Sequence, residues 1–283
     1  MRVYLSQFFE RHCASNSHGI PRGVGLSALL AELAMHPFDN FIRGLPGVYR
    51  YFRFSDDIIV FSTVHHDQII PQIERRLPKG MTFNQSKKQD IALDEAVKGR
   101  SREQSFEYLG YKFTTQTYAA SEKPRPLRVP ISEKKISKLK TRVILSLKSF
   151  SRDRNFPLLR DRLAYVTGNY TVRRNGFARV GGLTHVKSGI YYNYRHSGVY
   201  ELSEGTLTQT EYDTRELVAL DGFLNSLLCG RSSEFVGVIN KSLTAQQKKA
   251  LRIYSFSQGF KHRMTVRFKS DRIAAIKLAW RHA

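Results

Sequence analysis

Two adjacent aspartates, Asp56 and Asp57, are the residues whose types and spacing most directly suggest chemistry in this sequence. Two carboxylates this close repel each other unless a cation neutralises them. Mg²⁺ is the expected ion because it prefers carboxylate oxygens and keeps several waters. In two-metal phosphoryl transfer, such ions activate the attacking oxygen and stabilise the leaving one. The alternative is that Asp-Asp simply favours a surface turn, and the pair alone does not separate the two interpretations.

The residues on either side of the pair predict a β-hairpin whose turn carries both aspartates. Segment 48–54 is rich in the aromatic residues that favour strands, and segment 58–61 is entirely apolar. Neighbouring residues of a regular strand point to opposite faces, so only a turn allows both carboxylates to serve one site.

Other elements follow from the spacing of apolar residues. Leucines at positions 26, 29, 30 and 33 recur at helical spacing and predict a helix that runs to about residue 42, after a glycine-rich turn. A helix is also predicted over 69–77, and a strand or hairpin over 106–113. In the second half the sequence predicts helices over 131–150, 158–165, 217–228 and 270–280, with loops or short strands over 168–200.

The net charge of +22 over 283 residues is unevenly distributed. Residues 1–121 carry 15 Lys and Arg against 12 Asp and Glu, whereas residues 122–283 carry 31 against 12. A surplus of this size implies a polyanionic partner, and nucleic acid is the first candidate. Alternating prolines just after position 121 interrupt regular structure. We therefore expect two domains, 1–121 and 122–283.

Composition excludes several classes of protein. A content of 41% hydrophobic residues excludes a disordered chain. We expect no membrane partner, because the sequence has no run of 18 apolar residues and no signal peptide. The two cysteines lack metal-ligand spacing, which argues against a structural zinc site and a disulfide framework. A reduced, cytoplasmic location is expected. The pair His65-His66 is interpreted as a feature of a surface loop and not as a pair of metal ligands.

Residues 54–57, Phe-Ser-Asp-Asp, resemble the aromatic-x-Asp-Asp signature of reverse transcriptase palms. Three further segments resemble motifs of that family in the same order along the chain. They are the Gly-Ile-Pro turn and helix start at 19–33, the Asn-x-x-Lys segment at 84–87 and the Leu-Gly primer grip at 108–113. The resemblance implies an α+β fold class: a partial polymerase palm, with an antiparallel sheet and helices, followed by a largely helical, basic thumb.

The resemblance also implies a role for each of these segments. The function implied is RNA-directed DNA polymerase, with an RNA template, a DNA primer and product, and dNTPs as partners. Asp56 and Asp57 are then the catalytic residues and the ligands of a two-Mg²⁺ site. The implied nucleotide and template contacts are Gly19, Pro21, Arg22, Gly23, Ser27 and Lys87. Leu109 and Gly110 correspond to the primer grip. The thumb residues expected to bind nucleic acid are Lys134, Lys135, Lys138 and Arg142.

Within the family the chain resembles the bacterial branch, which includes retron-like and group II intron-like enzymes. Segments 167–170 and 189–194 are most similar to antiphage defence-associated reverse transcriptases, and to the smaller-motif partner of a two-polymerase system. A non-coding RNA and a second reverse transcriptase subunit are therefore candidate partners. The chain departs from the family at Arg22, where most relatives have glutamine, and at Glu32, where asparagine is usual.

One family feature is missing from this sequence. The first catalytic aspartate of reverse transcriptases precedes the Gly-Ile-Pro turn, and this sequence has no aspartate before Gly19. We therefore expect an N-terminally truncated enzyme whose two-metal site lacks a bridging ligand, with little or no polymerase activity of its own. The alternative is a non-catalytic nucleic-acid-binding or assembly subunit with a relic palm. A metal-dependent nuclease would not explain the other three segments.

Overall fold

The computed structural model describes residues 25–91, 104–115, 126–173 and 185–281, and elements are numbered over these ranges. By packing, the chain divides into two compact units, residues 1–92 and 93–283. This division falls earlier than the expected domain boundary at 121/122, because residues 104–115 pack with the second unit. The expected division into two functional domains, 1–121 and 122–283, stays a prediction.

The described part of the first unit combines two helices with one β-hairpin. Its elements are α1 (Gly25–Arg43), β1 (Val48–Phe54), β2 (Asp57–Ser62), α2 (His66–Arg76) and a short 3₁₀ turn (Gln85–Lys87). The strands β1 and β2 are antiparallel, with Phe54 opposite Asp57. The predicted upstream helix and the predicted hairpin are therefore confirmed. The buried core comes from α1, from α2 and from Leu45, which lies just after α1. Its residues are Met35, Phe38, Ile42, Leu45, Ile69 and Ile73.

The buried face of α1 differs from the leucine pattern that predicted the helix. Leu29 and Leu33 are 56% and 62% exposed, whereas Met35, Phe38 and Ile42 are buried. Both sets have helical spacing, so periodicity identifies the helix but not the stripe that the fold covers. Within the described residues, the core of this unit takes its α1 side chains from the C-terminal half of the helix.

The second unit contains eight further helices and three small sheets in its described part. Its helices are α3 (Glu133–Asp153), α4 (Phe156–Thr167), α5 (Ile190–Tyr194), α6 (Arg215–Cys229), α7 (Val236–Ser242), α8 (Ala245–Leu251) and α9 (Phe256–Lys261), followed by an eighth, α10 (Ser270–Leu278). Its strands are β3 (Gln104–Tyr108), β4 (Tyr111–Thr115), β5 (Leu127–Val129), β6 (Asn169–Arg173), β7 (His185–Gly189), β8 (Gly198–Ser203), β9 (Thr206–Tyr212) and β10 (Thr265–Arg267).

The strands of the second unit form sheets in the orders β3-β4, β5-β8-β9 and β10-β6-β7. All neighbouring strands are antiparallel except β10 and β6, which are parallel. The mixture of helices with small, mostly antiparallel sheets agrees with the predicted α+β class. The four helices that periodicity predicted in this half are confirmed as α3, α4, α6 and α10.

Helix α3 shows why the second unit has a single large core. Leu139, Val143, Leu147 and Phe150 recur every three or four residues and are buried, which leaves the lysines of α3 on the opposite face. The core continues through buried leucines of α4 and α6: Leu159, Leu163, Leu217, Leu220 and Leu224.

The packing of α9 against the end of α4 depends on Gly259. A Cβ at this position would lie 2.0 Å from the carbonyl oxygen of Thr167, so a side chain here would force the two backbones apart. No helix in the described part of the chain has the length and apolar content needed to cross a bilayer.

Candidate active site

The aspartate pair lies at the tip of the β1–β2 hairpin. A two-residue turn of Ser55 and Asp56 joins the strands, and Asp57 is the first residue of β2. Ser55 has φ +57°, a left-handed conformation that short hairpin turns use because it matches the twist of the strands. Both aspartates are exposed, and neither carboxylate makes a hydrogen bond or ion pair with another described residue. The hairpin therefore presents two exposed carboxylates that no described residue neutralises.

Arg53, which lies two residues before the turn residue Ser55, anchors this hairpin to α1. Its side chain is only 6% exposed. Its Nε and Nη2 donate to the two carboxylate oxygens of Asp39 at 2.8 and 2.7 Å, and its Nη1 and Nη2 donate to Glu32 at 3.1 and 2.7 Å. Nη1 also donates to the carbonyl oxygen of Ser55 at 3.1 Å. One guanidinium thus fixes the helix, the strand and the backbone of the turn.

The electrostatics of this network keep its charges paired. Hydrogen bonds from Arg53 hold the pKa of Asp39 below its ordinary value, although burial opposes this shift. Tyr51 donates to Asp39 at 2.7 Å, and burial together with this hydrogen bond raises the pKa of the Tyr51 hydroxyl. Asp39 is therefore ionised and Tyr51 is protonated at neutral pH, and each carboxylate oxygen of Asp39 has a donor.

Sequence reasoning did not assign a role to Arg53, Asp39 or Tyr51. The sequence nevertheless contained a signal for this network. Tyr51 and Arg53 are two residues apart, so they share one face of β1. Glu32 was noted only as a departure from the family, and in the structure it binds Arg53. Glu32 and Asp39 are seven residues apart on α1, which places them on one side of the helix.

The predicted nucleotide and template contacts are only partly described. Gly19, Pro21, Arg22 and Gly23 lie outside the described residues, so their roles stay predictions. Ser27 lies in the first turn of α1, where it is buried, and its hydroxyl has no hydrogen-bond partner among the described residues. A buried hydroxyl without a partner is a group that a ligand or a neighbouring segment could satisfy.

Lys87 ends the 3₁₀ turn and is exposed. The turn is held by Asn84, whose side chain accepts from the backbone N–H of Ser86 at 3.1 Å, while Phe83 packs against the core of the first unit. The neighbouring Lys88 binds Glu74 at 3.2 Å. Lys87 has no ion pair with a described residue, so its ammonium group is available to an anion.

The predicted primer grip is the tip of the β3–β4 hairpin. Leu109 and Gly110 have φ +51° and +87°, the pair of positive values expected for a two-residue type I′ turn. Leu109 is 44% exposed. The carbonyl oxygen of Gly110 accepts from the N–H of Ser132 at 3.0 Å, which docks the turn beside the start of α3. A Cβ on Gly110 would lie 2.8 Å from Cε of Lys135, so this lysine passes directly over the turn.

The basic residues of α3 divide into two groups. Lys134, Lys135 and Lys138 are exposed on its first turns. Arg142 instead lies with its guanidinium 5.5 Å from the ring centre of Trp280, and its Nε is buried without a hydrogen-bond partner among the described residues. The structure therefore places Lys135 against the Leu109-Gly110 turn and leaves Lys134 and Lys138 exposed on the same first turns of α3, whereas Arg142 packs against Trp280.

Gly110→Ala is expected to lower the free energy of unfolding by about 1–2 kcal/mol, because an L-residue in the left-handed region is strained. Contact with Lys135 adds little, since the end of that side chain is flexible. Urea unfolding measures the change. Gly222→Ala is the control: it lies in α6 with open space around a Cβ, and alanine there should stabilise by up to about 1 kcal/mol. Equal effects at the two positions would contradict the assigned turn.

Segments 167–170 and 189–194 meet at the side chain of Asn169, which is fully buried. Its amide group donates to the carbonyl oxygens of Gly259 and Met264 at 3.1 and 3.2 Å. Its Oδ1 accepts from the backbone N–H of Tyr191 at 2.9 Å. Asn169 therefore holds β6, α5 and the α9–β10 connection together, which is a structural role.

The described residues thus form two partial sites, each within its own unit: the Asp-Asp turn in the first and the turn-and-lysine surface in the second. No protein-family model, curated protein or solved structure matches the chain.

Proposed function

We propose that the chain is the palm and thumb part of an RNA-directed DNA polymerase of the bacterial, antiphage defence-associated kind. The observation that carries the proposal is the hairpin turn that presents Asp56 and Asp57 as exposed carboxylates without partners among the described residues. A turn that served only to connect two strands at the surface would not require a buried guanidinium to bind its backbone. Arg53 supplies that anchor here, as a positioned metal site requires.

The donor set of the turn fits Mg²⁺, which takes carboxylate oxygens and keeps several waters. When bound, Mg²⁺ supplies the positive charge that activates the primer hydroxyl and stabilises the leaving pyrophosphate. Asp56 and Asp57 hold that charge at the tip, and Arg53 limits the movement of the turn. Among the described residues no third His, Cys, Asp or Glu joins this pair. Further ligands would have to come from other residues or from the substrate.

The surface of the second unit suits a template–primer duplex. Lys134, Lys135 and Lys138 place three ammonium groups on one helix face, where they can contact consecutive phosphates. Leu109 offers an exposed apolar side chain beside them, suited to packing against a sugar of the primer strand. In the first unit, Lys87, which has no ion pair with a described residue, is suited to the triphosphate of the incoming nucleotide.

Primer extension tests the proposal. The chain is incubated with an RNA template, an annealed DNA primer, Mg²⁺ and dNTPs, and its binding to the same duplex is measured in parallel. Extension that follows the template sequence supports the polymerase. Absence of both extension and duplex binding contradicts the proposal.

A non-catalytic nucleic-acid-binding or assembly subunit is the second candidate. It is favoured by the exposed lysines of α3 and by the lack of a third carboxylate at the hairpin tip among the described residues. Duplex binding that does not require Mg²⁺, with no extension by this chain or by any form of the protein that adds a further carboxylate ligand, supports this candidate over the polymerase.

Replacing Lys134, Lys135 and Lys138 together with glutamine is expected to weaken duplex binding and to reduce its dependence on salt. Each phosphate contact releases counterions and contributes about 0.9 to the slope of log K against log salt. Loss of three contacts should therefore reduce the slope by about 2 to 3. Binding titrations at several salt concentrations measure it.

The control for this triple variant replaces three exposed lysines elsewhere in the second unit with glutamine. It removes the same charge and should leave most of the slope unchanged. Similar losses in both variants would show that only net charge matters and that α3 has no specific role. The control lysines are Lys241, Lys249 and Lys261.

A further inference from the structure

A group of metal-ligating side chains at the start of α2 has no role in the function proposed above. His65, His66 and Asp67 each offer a ligand atom, and the three atoms lie within 4.8 Å of one another. We propose that these residues bind one divalent transition-metal ion of the Zn²⁺ class and that Asp90 orients His66 for this purpose. The pair of histidines would then be a metal site and not merely a feature of a surface loop.

The distances between the donor atoms suit a single ion. Nδ1 of His65 lies 3.2 Å from Oδ2 of Asp67, and Nε2 of His66 lies 3.0 Å from Oδ1 of the same carboxylate. In a tetrahedral zinc site, bonds of about 2.0–2.2 Å place neighbouring donors roughly 3.3–3.5 Å apart. A small movement of exposed side chains is enough to reach that geometry. The two imidazole rings already lie 4.0 Å apart.

Asp90 supplies an independent observation that points to a metal. Its Oδ2 lies 2.6 Å from Nδ1 of His66, the ring nitrogen that faces away from Asp67. Metal-binding histidines usually donate their second N–H to a carboxylate, which selects the tautomer and orients the ring. With the proton on Nδ1, the lone pair of Nε2 is directed toward Asp67 and the proposed ion.

The chemistry of the donors selects the class of ion. Imidazole nitrogens with a carboxylate suit Zn²⁺ and its transition-metal neighbours, whereas Mg²⁺ prefers an all-oxygen shell. The N-terminus of α2 opposes a cation through its dipole, but Asp67 and Asp90 offset this effect with two negative charges. Lys88, on the same side of the first unit, is neutralised by Glu74 at 3.2 Å.

Binding at this site would tie α2 to the segment that carries Lys87. Asp90 lies three residues after Lys87, and its contact with His66 joins this segment to the start of the helix. An ion that fixes His66 therefore also limits the movement of the segment. The proposal does not depend on polymerase activity, and it concerns residues separate from Asp56 and Asp57.

Zn²⁺ titration of the full chain tests the site. The titration uses a Cys13→Ser/Cys229→Ser background, because either thiol could bind the ion, and excess Mg²⁺ to compete at Asp56 and Asp57. We expect one equivalent of Zn²⁺ to bind and to raise the melting temperature, since a ligand that binds only the folded state stabilises it. Removal of the ion with a chelator should reverse this shift.

Variants separate the ligands from the orienting carboxylate. His66→Gln should weaken Zn²⁺ binding by about 100-fold or more, and Asp90→Asn by about 10- to 100-fold, as is typical for loss of an outer-sphere partner. His262→Gln, at an exposed histidine of the second unit, should leave the affinity unchanged. Unfolding measured in chelator shows whether each variant is folded before metal is added.

Two results would overturn the proposal. One is that the wild-type chain shows no Zn²⁺-dependent shift in melting temperature and binds no equivalent of the ion. The other is that His65→Gln/His66→Gln, folded in chelator, binds Zn²⁺ with the wild-type stoichiometry and affinity. If the double variant does not fold, the single Asp90→Asn variant replaces it in this test, because it keeps all three proposed ligands. Wild-type affinity for Zn²⁺ in that variant would then overturn the proposal.

Discussion

Asp56→Asn is expected to abolish nucleotide addition in whichever form of the protein extends a primer. We expect the rate to fall about 1,000-fold or more, which corresponds to about 4 kcal/mol of transition-state stabilisation. Asparagine keeps the size of the side chain and removes the charge that would hold Mg²⁺ at the hairpin tip. The side chain is exposed and has no described partner, so the fold should not change. Single-nucleotide extension with saturating dNTP measures the effect.

Duplex binding is the internal control for this variant, because the lysines of α3 lie in the second unit and remain intact. The affinity for template–primer should stay within about twofold, well below the tenfold that 1.4 kcal/mol represents. Asp271→Asn removes an equal charge from an exposed position on α10 and should not alter extension. An Asp56→Asn variant that keeps more than a tenth of the wild-type rate would show that Asp56 does not bind the catalytic ion.

Arg53→Met is expected to have the largest effect on the stability of the first unit. It leaves the carboxylate of Asp39, which is only 10% exposed, without its ionic partner. Removing one member of a buried ion pair costs about 3–5 kcal/mol, because the remaining charge is buried and uncompensated. It also removes the hydrogen bond to the carbonyl oxygen of Ser55, so the Asp-Asp turn loses its anchor. Denaturant unfolding of the first unit measures the loss.

Two further variants identify the cause of this loss. Glu32→Gln alters a partner that is 60% exposed, so it should cost less than about 1 kcal/mol. Arg53→Met/Asp39→Leu removes both charges and should recover much of the stability, since a buried pair can often be replaced by apolar residues at little cost. A loss below about 1 kcal/mol for Arg53→Met would contradict the buried-pair assignment.

Acid should weaken the same pair. The pKa of Asp39 is lower in the folded protein than its ordinary value of 3.8, so the unfolded chain binds a proton more readily. The stabilisation is therefore fully present above the unfolded pKa and is lost as pH falls through the folded pKa. The difference in free energy of unfolding between wild type and Asp39→Asn should stay constant above about pH 5 and shrink as pH falls below 3.8.

Local patterns explain which parts of the candidate site could be predicted. The β1–β2 hairpin follows from aromatic and aliphatic strand residues on either side of a short polar turn, all within 15 positions of each other. The helices α3, α4, α6 and α10 follow from apolar periodicity, and the surplus of lysine and arginine after residue 121 follows from counting. These features depend on neighbours in the chain, so no knowledge of packing is needed.

The tertiary structure alone decided which of these residues meet. Arg53 finds Asp39 and Glu32 at separations of 14 and 21 residues, and Lys135 crosses the turn at Gly110. Arg142 shares a helix with the exposed lysines but packs on Trp280, because the core covers one side of α3 and not the other. The periodicity of apolar residues specifies that a helix has an apolar face, whereas long-range packing determines which residues cover that face. The sequence by itself thus determined the elements and the carboxylate pair, and only the fold determined what anchors them.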